Sequence, residues 1–161
     1  MGVEVHDYIS VSEKLKSFGV SIQSGLAILP GNLATATTIE ELRQNVESDT
    51  VRTLLSANKI PYVEIFSDEA QPPYFQQYGS EWFGPTLFLS ASLLSQNPHI
   101  LSVSLGFITN YLYDLFKSSK EGNASLDVIF QQVDGSCKKI HYNGPADGLS
   151  EVAEIVKNLK G

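Results

Sequence analysis

The amino-acid sequence predicts an α+β fold in which a mixed β-sheet is covered by helices. Segments with the two-residue period of strands are interspersed with segments of helical period along the 161-residue chain. An uncharged run from Trp82 to Tyr113 ends in an apolar helix, which we expect to pack at the centre of the fold. The C-terminal third has the pattern of a β-hairpin followed by a helix. At this length we expect one domain, residues 1–161, with its own core.

The first helix is predicted from Ser10 and Glu13, because a serine hydroxyl and a glutamate three residues later can each accept a hydrogen bond from a free backbone amide. Gly19 is expected to end it. The following elements are expected to be a strand over residues 20–29, two short helices that meet near residue 48, and a strand over residues 60–66. A strand–helix–strand order with this spacing favours a parallel pair of strands joined by a right-handed crossover.

A long loop over residues 68–85 is rich in aromatic side chains. They are Tyr74, Phe75, Tyr78, Trp82 and Phe83. Long loops without structure of their own are often functional, and tyrosine and tryptophan are favoured anchors at protein interfaces. We therefore expect these residues to bind a protein partner. Core packing of Trp82 and Phe83 is an equal alternative.

The uncharged run continues as a short buried strand over residues 86–89, a helical turn over 90–95 and a helix from Pro98 to about Lys117. The apolar stripe of this helix includes Leu101, Leu105, Ile108 and Leu112. Burial in the core is our first expectation for the stripe, and pairing with a second copy of the chain is the next. Insertion of residues 82–113 into a membrane comes third, because polar residues recur at helical intervals and make one side wettable.

The chain is expected to close with a hairpin, residues 125–133 paired with 137–142, and an amphipathic helix begun at Asp147. A three-residue loop over Asp134–Ser136 would place Phe130 opposite Ile140. A two-residue turn would instead put these side chains on opposite faces, because a one-residue slip swaps the faces of a strand. We therefore favour the three-residue loop.

Composition excludes several functions and leaves others open. A net charge of −7 argues against nucleic acid as a partner, since such binding depends on clustered lysine and arginine. The three histidines are scattered, so we expect no metal, and no phosphate-binding loop or other cofactor motif is visible. Cys137 and His141 share a strand face, but four residues of strand span about 13 Å. We therefore expect a structural thiol and no catalytic pair.

A second class of function is a small-molecule binder or small enzyme. The place for its site would be the crevice beyond the carboxyl ends of the predicted parallel strands, near Pro30 and Asp68. A third class is a membrane-acting effector that uses residues 82–113.

Several short phrases of the sequence resemble a family of uncharacterised bacterial proteins. They are Leu29-Pro30-Gly31-Asn32, residues 50–55, Gly84-Pro85-Thr86-Leu87-Phe88, residues 95–98, residues 110–117 and Tyr142-Asn143-Gly144-Pro145 with Gly148. The order of elements in the C-terminal third is also similar to small effector-associated modules of bacterial conflict and phage-defence systems. These resemblances imply a bacterial protein that takes part in such a system.

The leading hypothesis is a non-enzymatic interaction module that forms homo-oligomers or docks onto a larger partner. A cytoplasmic location is expected, because the single cysteine excludes an internal disulfide and no signal peptide is recognisable at the first residues.

Overall fold

The structure is a computed structural model that describes residues 2–76, 81–116 and 122–159. It confirms the α+β fold, with one mixed five-stranded sheet and five α-helices among these residues. The strands are β1 (Gly2–Tyr8), β2 (Leu26–Leu29), β3 (Trp82–Leu89), β4 (Asn123–Gln131) and β5 (Cys137–Pro145). The helices are α1 (Val11–Ser17), α2 (Ser48–Ala57), α3 (Ala91–Gln96), α4 (Ile100–Leu115) and α5 (Ser150–Leu159).

The strands follow the order β1-β5-β4-β3-β2 across the sheet. Only β3 and β4 are parallel, and α3 and α4 connect them; the other neighbours are antiparallel. The sheet is therefore mixed, as predicted, but the parallel pair involves later strands than the sequence indicated.

The predicted strand over residues 60–66 is wrong. These residues touch the sheet through one parallel bridge between Val63 and Ala27, where the Val63 amide donates to the Leu26 carbonyl at 2.8 Å. The carboxylate of Glu64 meanwhile turns to the guanidinium of Arg52, 3.3 Å away. The segment therefore contacts α2 through a side chain and β2 through one bridge, and it does not form the hydrogen-bonded strand that was expected.

Two further strand predictions need correction. The strand expected over residues 20–29 is limited to β2, residues 26–29. Strand β1 was not predicted at all, and it pairs with β5 over its full length. Its alternation of Val3 and Val5 with Glu4 and His6 is a period-two signal that was available in the sequence.

The first helix begins as predicted, because the Ser10 hydroxyl accepts a hydrogen bond from the Glu13 amide at 3.4 Å. The helix expected before residue 48 is reduced to a single 3-10 turn, Ile39–Glu41. The Asn32 side chain explains this early end. It donates to the Glu41 carbonyl at 2.9 Å and accepts from the Arg43 amide at 2.8 Å. These two backbone groups therefore bond to a side chain and not to backbone groups of a helix.

The C-terminal hairpin forms with a three-residue loop, but one residue earlier than expected. The Gln132 amide donates to the Ser136 carbonyl at 2.8 Å, so the loop is residues 133–135. Phe130 therefore lies opposite Lys138, and Val128 lies opposite Ile140. Each residue of β4 therefore lies opposite a residue of β5 that is two positions earlier than predicted. Because a shift of two preserves the alternation of faces, every side chain stays on its predicted face.

The sheet separates two apolar cores. Helices α2, α4 and α5 cover one face, where they meet alternate residues of the strands such as Leu87, Val128 and Ile140. Helix α1 and irregular segments cover the opposite face around Phe88 and Ile129. Because successive side chains point to opposite faces, neighbouring residues of one strand serve different cores.

Strand β3 contains Pro85 although it is a central strand. The pairing with β4 shifts between Phe83 and Thr86, so the proline lies where the ladder is already interrupted. Gly84 lies beside it, and a Cβ there would overlap the ring of Trp82. The missing side chain therefore lets the indole lie across the strand.

Candidate functional site

An open groove of about 340 Å³ lies at the C-terminal end of α4. Its lining residues come from α4, from the start of β3 and from the chain before α2. They are Val46, Glu47, Glu81, Trp82, Phe83, Leu115 and Phe116. The Glu47 amide donates to the Phe83 carbonyl at 3.3 Å, which ties the start of α2 to the start of β3. This hydrogen bond joins two of the three chain segments that line the groove.

Trp82 and Phe83 divide between core and surface. Trp82 is 4% exposed and packs with the residues of the α4 face of the sheet. Its indole Nε1 has no hydrogen-bond partner among the described residues. Phe83 is half-buried and faces the groove. Trp82 is therefore packed in the core, which was the alternative expectation, whereas Phe83 keeps surface that a partner could contact.

The other aromatic residues of the predicted partner site lie apart. Tyr74 is 43% exposed, and its hydroxyl donates to the Asp49 carboxylate in the first turn of α2. Phe75 is half-buried beside Gly31, where an added Cβ would come within 2.9 Å of its ring. Tyr78 lies outside the described residues. Of the five predicted residues, Trp82 and Phe83 line the groove.

The stripe predicted as a possible oligomer interface lies inside the protein. Leu101, Leu105, Ile108 and Leu112 are each 0–2% exposed. They belong to the core that α4 shares with the sheet, so a second copy could reach them only if the helix left the sheet. This placement agrees with the first expectation for the stripe. The outer side of the helix carries Val103 and Tyr113 instead, both about half exposed.

Two carboxylates border the groove. The side chain of Glu47 accepts a hydrogen bond from the Thr50 hydroxyl at 3.2 Å. Within the described ranges, no lysine, arginine or histidine forms an ion pair with Glu47 or Glu81. Burial and the nearby Glu47 carboxylate both raise the pKa of Tyr111. The groove therefore combines apolar walls with two carboxylates that form no ion pair within the described ranges.

The position of Phe116 in the groove wall depends on a glycine. A Cβ added at Gly122 would overlap the ring of Phe116. We expect Gly122→Ala to lower the free energy of unfolding by about 1–3 kcal/mol, because overpacking forces the ring to move. Urea unfolding followed by circular dichroism would measure the change.

Gly106 provides the matched control for this change. It lies on exposed α4 surface, and a Cβ there would meet nothing within 4 Å. Gly106→Ala is expected to raise stability by up to about 1 kcal/mol, since alanine favours a helix over glycine. Equal effects of the two substitutions would show that Phe116 does not rest against Gly122.

The space beside Pro30, where a crevice was predicted, is narrow, and Asp68 does not line it. Between Pro30, Gln44, Arg52 and Gln71, the volume that a water molecule could occupy is about 0 Å³. Arg52 fills this region and donates to the side chains of Asp49 at 2.6 Å, Gln44 at 3.0 Å and Gln71 at 3.2 Å. An arginine with these partners joins α2 to the segments that surround it.

A polar cluster on the sheet was not predicted from the sequence. Asp127 on β4 and His141 on β5 lie directly opposite each other, with 2.6 Å between Oδ1 and Nδ1. The Lys139 ammonium is 3.7 Å from Asp127 and lies over the Tyr8 ring. Burial raises the pKa of Tyr8 to about 12, and the charge of Asp127 adds to this shift. The cluster joins three strands on one face of the sheet.

Cys137 has the environment of a structural thiol. It is 4% exposed among the residues of the second core, and its thiol donates to the Gly135 carbonyl at 3.9 Å. Burial raises the pKa of the thiol, which disfavours the reactive thiolate. His141 pairs with Asp127 and not with Cys137.

Two kinds of site are not found among the described residues. No group of three or more histidine, cysteine, aspartate or glutamate side chains is arranged to hold a metal ion. Within residues 2–76, 81–116 and 122–159, no helix has both the length and the apolar character needed to cross a membrane. The uncharged run itself divides between β3, α3 and α4.

Comparisons of the chain with family models, with curated proteins and with solved structures find no match. The resemblances noted from the sequence therefore stay predictions.

Proposed function

We propose that the chain is a non-enzymatic interaction module that docks onto a larger protein partner through the groove at the end of α4. One observation carries this proposal: a groove of about 340 Å³ combines Phe83, Leu115 and Phe116 with two carboxylates that no described cation neutralises. Leu115 is 48% exposed, so much of its apolar surface remains for a partner to cover. A cytoplasmic, bacterial setting and a role in a defence or conflict system belong to the same proposal.

The chemistry of the groove defines the partner segment that would fit. Aromatic and leucine side chains offer apolar surface, and removing such surface from water stabilises the association with apolar side chains of a partner. Glu47 and Glu81 favour lysine or arginine beside those anchors. The net charge of −7 adds attraction for a basic partner at low salt. The segment we expect therefore alternates apolar and basic residues.

The intrinsic fluorescence of Trp82 can be used to follow this binding. Trp82 is the only tryptophan and lines the groove, so its emission should change when the groove is occupied. We expect a peptide that alternates leucine with lysine to shift the emission in a saturable way. A peptide of equal length that alternates leucine with glutamate should leave it unchanged.

Matched variants separate the groove from general charge attraction. Leu115→Ser and Glu81→Lys should each weaken binding of the basic peptide about tenfold, the effect of about 1.4 kcal/mol. Val133→Ser, at the 86% exposed hairpin tip, and Glu40→Lys make the same chemical changes away from the groove. Equal losses with Glu40→Lys and Glu81→Lys would contradict the proposal, as would an unchanged emission with both peptides.

A further inference from the structure

Strand β1 forms an open edge of the sheet. Within the part of the chain that the structure describes it pairs with β5 alone, and the register runs without a bulge from Gly2 opposite Asn143 to Tyr8 opposite Cys137. Residues 4–7 are exposed, including Val5 at 43%. An open edge presents unpaired backbone amides and carbonyls, and proline or a bulge commonly blocks such an edge. Neither occurs in β1.

The side chains of β1 are complementary to those of a second copy. Glu4 and His6 lie on either side of Val5. If two β1 strands pair antiparallel around a two-fold axis through Val5, each Glu4 lies opposite His6 of the second copy. Cross-strand pairs of opposite charge stabilise a sheet, and like charges directly opposite destabilise it.

The same charges disfavour the neighbouring registers. A register centred on Glu4 places the two Glu4 carboxylates opposite each other. A register centred on His6 places the two imidazoles opposite each other. Registers displaced by one residue bring the polar and apolar faces of the two strands together. Only the register centred on Val5 combines an apolar contact at the axis with two complementary pairs.

We propose that β1 pairs antiparallel with β1 of a second copy of this chain, so that the two five-stranded sheets join across a two-fold axis at Val5. The exposed surface of Val5 would be covered by the same residue of the second copy. This dimer uses the opposite edge of the sheet from β2 and none of the groove residues. It therefore stands or fails independently of the proposed docking groove.

The proposed pairing has a defined pH dependence. Within one chain the His6 ring faces Glu4, with 3.2 Å between Nε2 and Oε1, and its neighbour on β5 is Lys139. Lys139 is directed to Asp127, at 3.7 Å, and His141 lies opposite Glu4. The dimer adds one more carboxylate to each imidazole. Protonation of the imidazole makes each Glu4–His6 pair one of opposite charge, so the dimer should be tighter at mildly acidic than at basic pH.

A charge exchange tests the register directly. Sedimentation equilibrium of the full chain at about pH 6, below the ordinary pKa of a histidine side chain, would give the dimer dissociation constant. Glu4→Lys and His6→Glu should each weaken the dimer about tenfold, because each turns two attractive pairs into repulsive ones. The double variant should restore the affinity, and its dimer should no longer weaken at about pH 8 since lysine and glutamate stay charged there.

Circular dichroism of each variant would show that β1 still folds onto β5, and recovery in the double variant is a second check on folding. A chain that stays monomeric at every concentration tested at about pH 6 would overturn the proposal. So would a dimer whose affinity is unchanged by both single variants. If the groove variants lose peptide binding and still form the dimer, the dimer does not depend on the docking groove.

Discussion

Leu105→Ala is expected to lower the free energy of unfolding by about 2–5 kcal/mol, with no change in the way copies of the chain associate. Leu105 is 1% exposed in the centre of the core that α4 shares with the sheet. Removing its isobutyl group loses apolar contacts and leaves a cavity that the surrounding residues fill only in part. Urea unfolding followed by circular dichroism would measure the loss.

Val103 on the same helix is the control for this substitution. It is 46% exposed on the outer side of α4, so Val103→Ala should change stability by no more than about 0.5 kcal/mol. If Leu105→Ala instead altered the sedimentation of the protein and left its stability intact, the stripe would be an interface after all.

The second large effect is expected at Trp82. Trp82→Ala should destabilise the protein by about 3–5 kcal/mol, because a buried indole is removed from between Gly84 and the α4 face of the sheet. Thermal unfolding monitored by far-ultraviolet circular dichroism suits this variant, since the substitution removes the chain's only tryptophan.

Phe83 allows a comparison with Trp82 at the neighbouring position. It is half-buried at the groove, so Phe83→Ala should cost clearly less stability than Trp82→Ala and should weaken peptide binding. If the two substitutions had the same effect on unfolding, Trp82 and Phe83 would share one role, and the division between core and surface would be wrong.

The sequence predicted best those elements whose signals are local. Helix α4 and the β4–β5 hairpin were found because hydrophobic periodicity over ten or so residues carries enough information to place them. The strand predicted over residues 60–66 was wrong because its structure depends on residues that are distant in the sequence. Its apolar alternation resembles a strand, but only Val63 bridges to β2, and Glu64 pairs with Arg52, twelve positions earlier in the chain. No local pattern shows such a contact.

The candidate sites show the same limit. Sequence reasoning selected the aromatic loop by residue type, and Phe83 does line the groove. It could not include Leu115 and Phe116, which the fold brings to the same place from the end of α4. The pair of Asp127 and His141 was missed because it depends on strand register. Correct register would have placed them opposite each other, whereas the predicted register was displaced by two residues.

The position of β1 has a consequence for the synthesis of the protein. The salt bridge between Asp7 and Lys138, 2.7 Å long, joins residues 131 positions apart in the chain. While a ribosome is still producing the middle of the chain, β1 has no partner strand, because β5 has not yet been made. Contacts between distant residues close late, since a long loop must first be ordered. Of the five strands described, β1 is synthesised before the others and is therefore among the last to find its place.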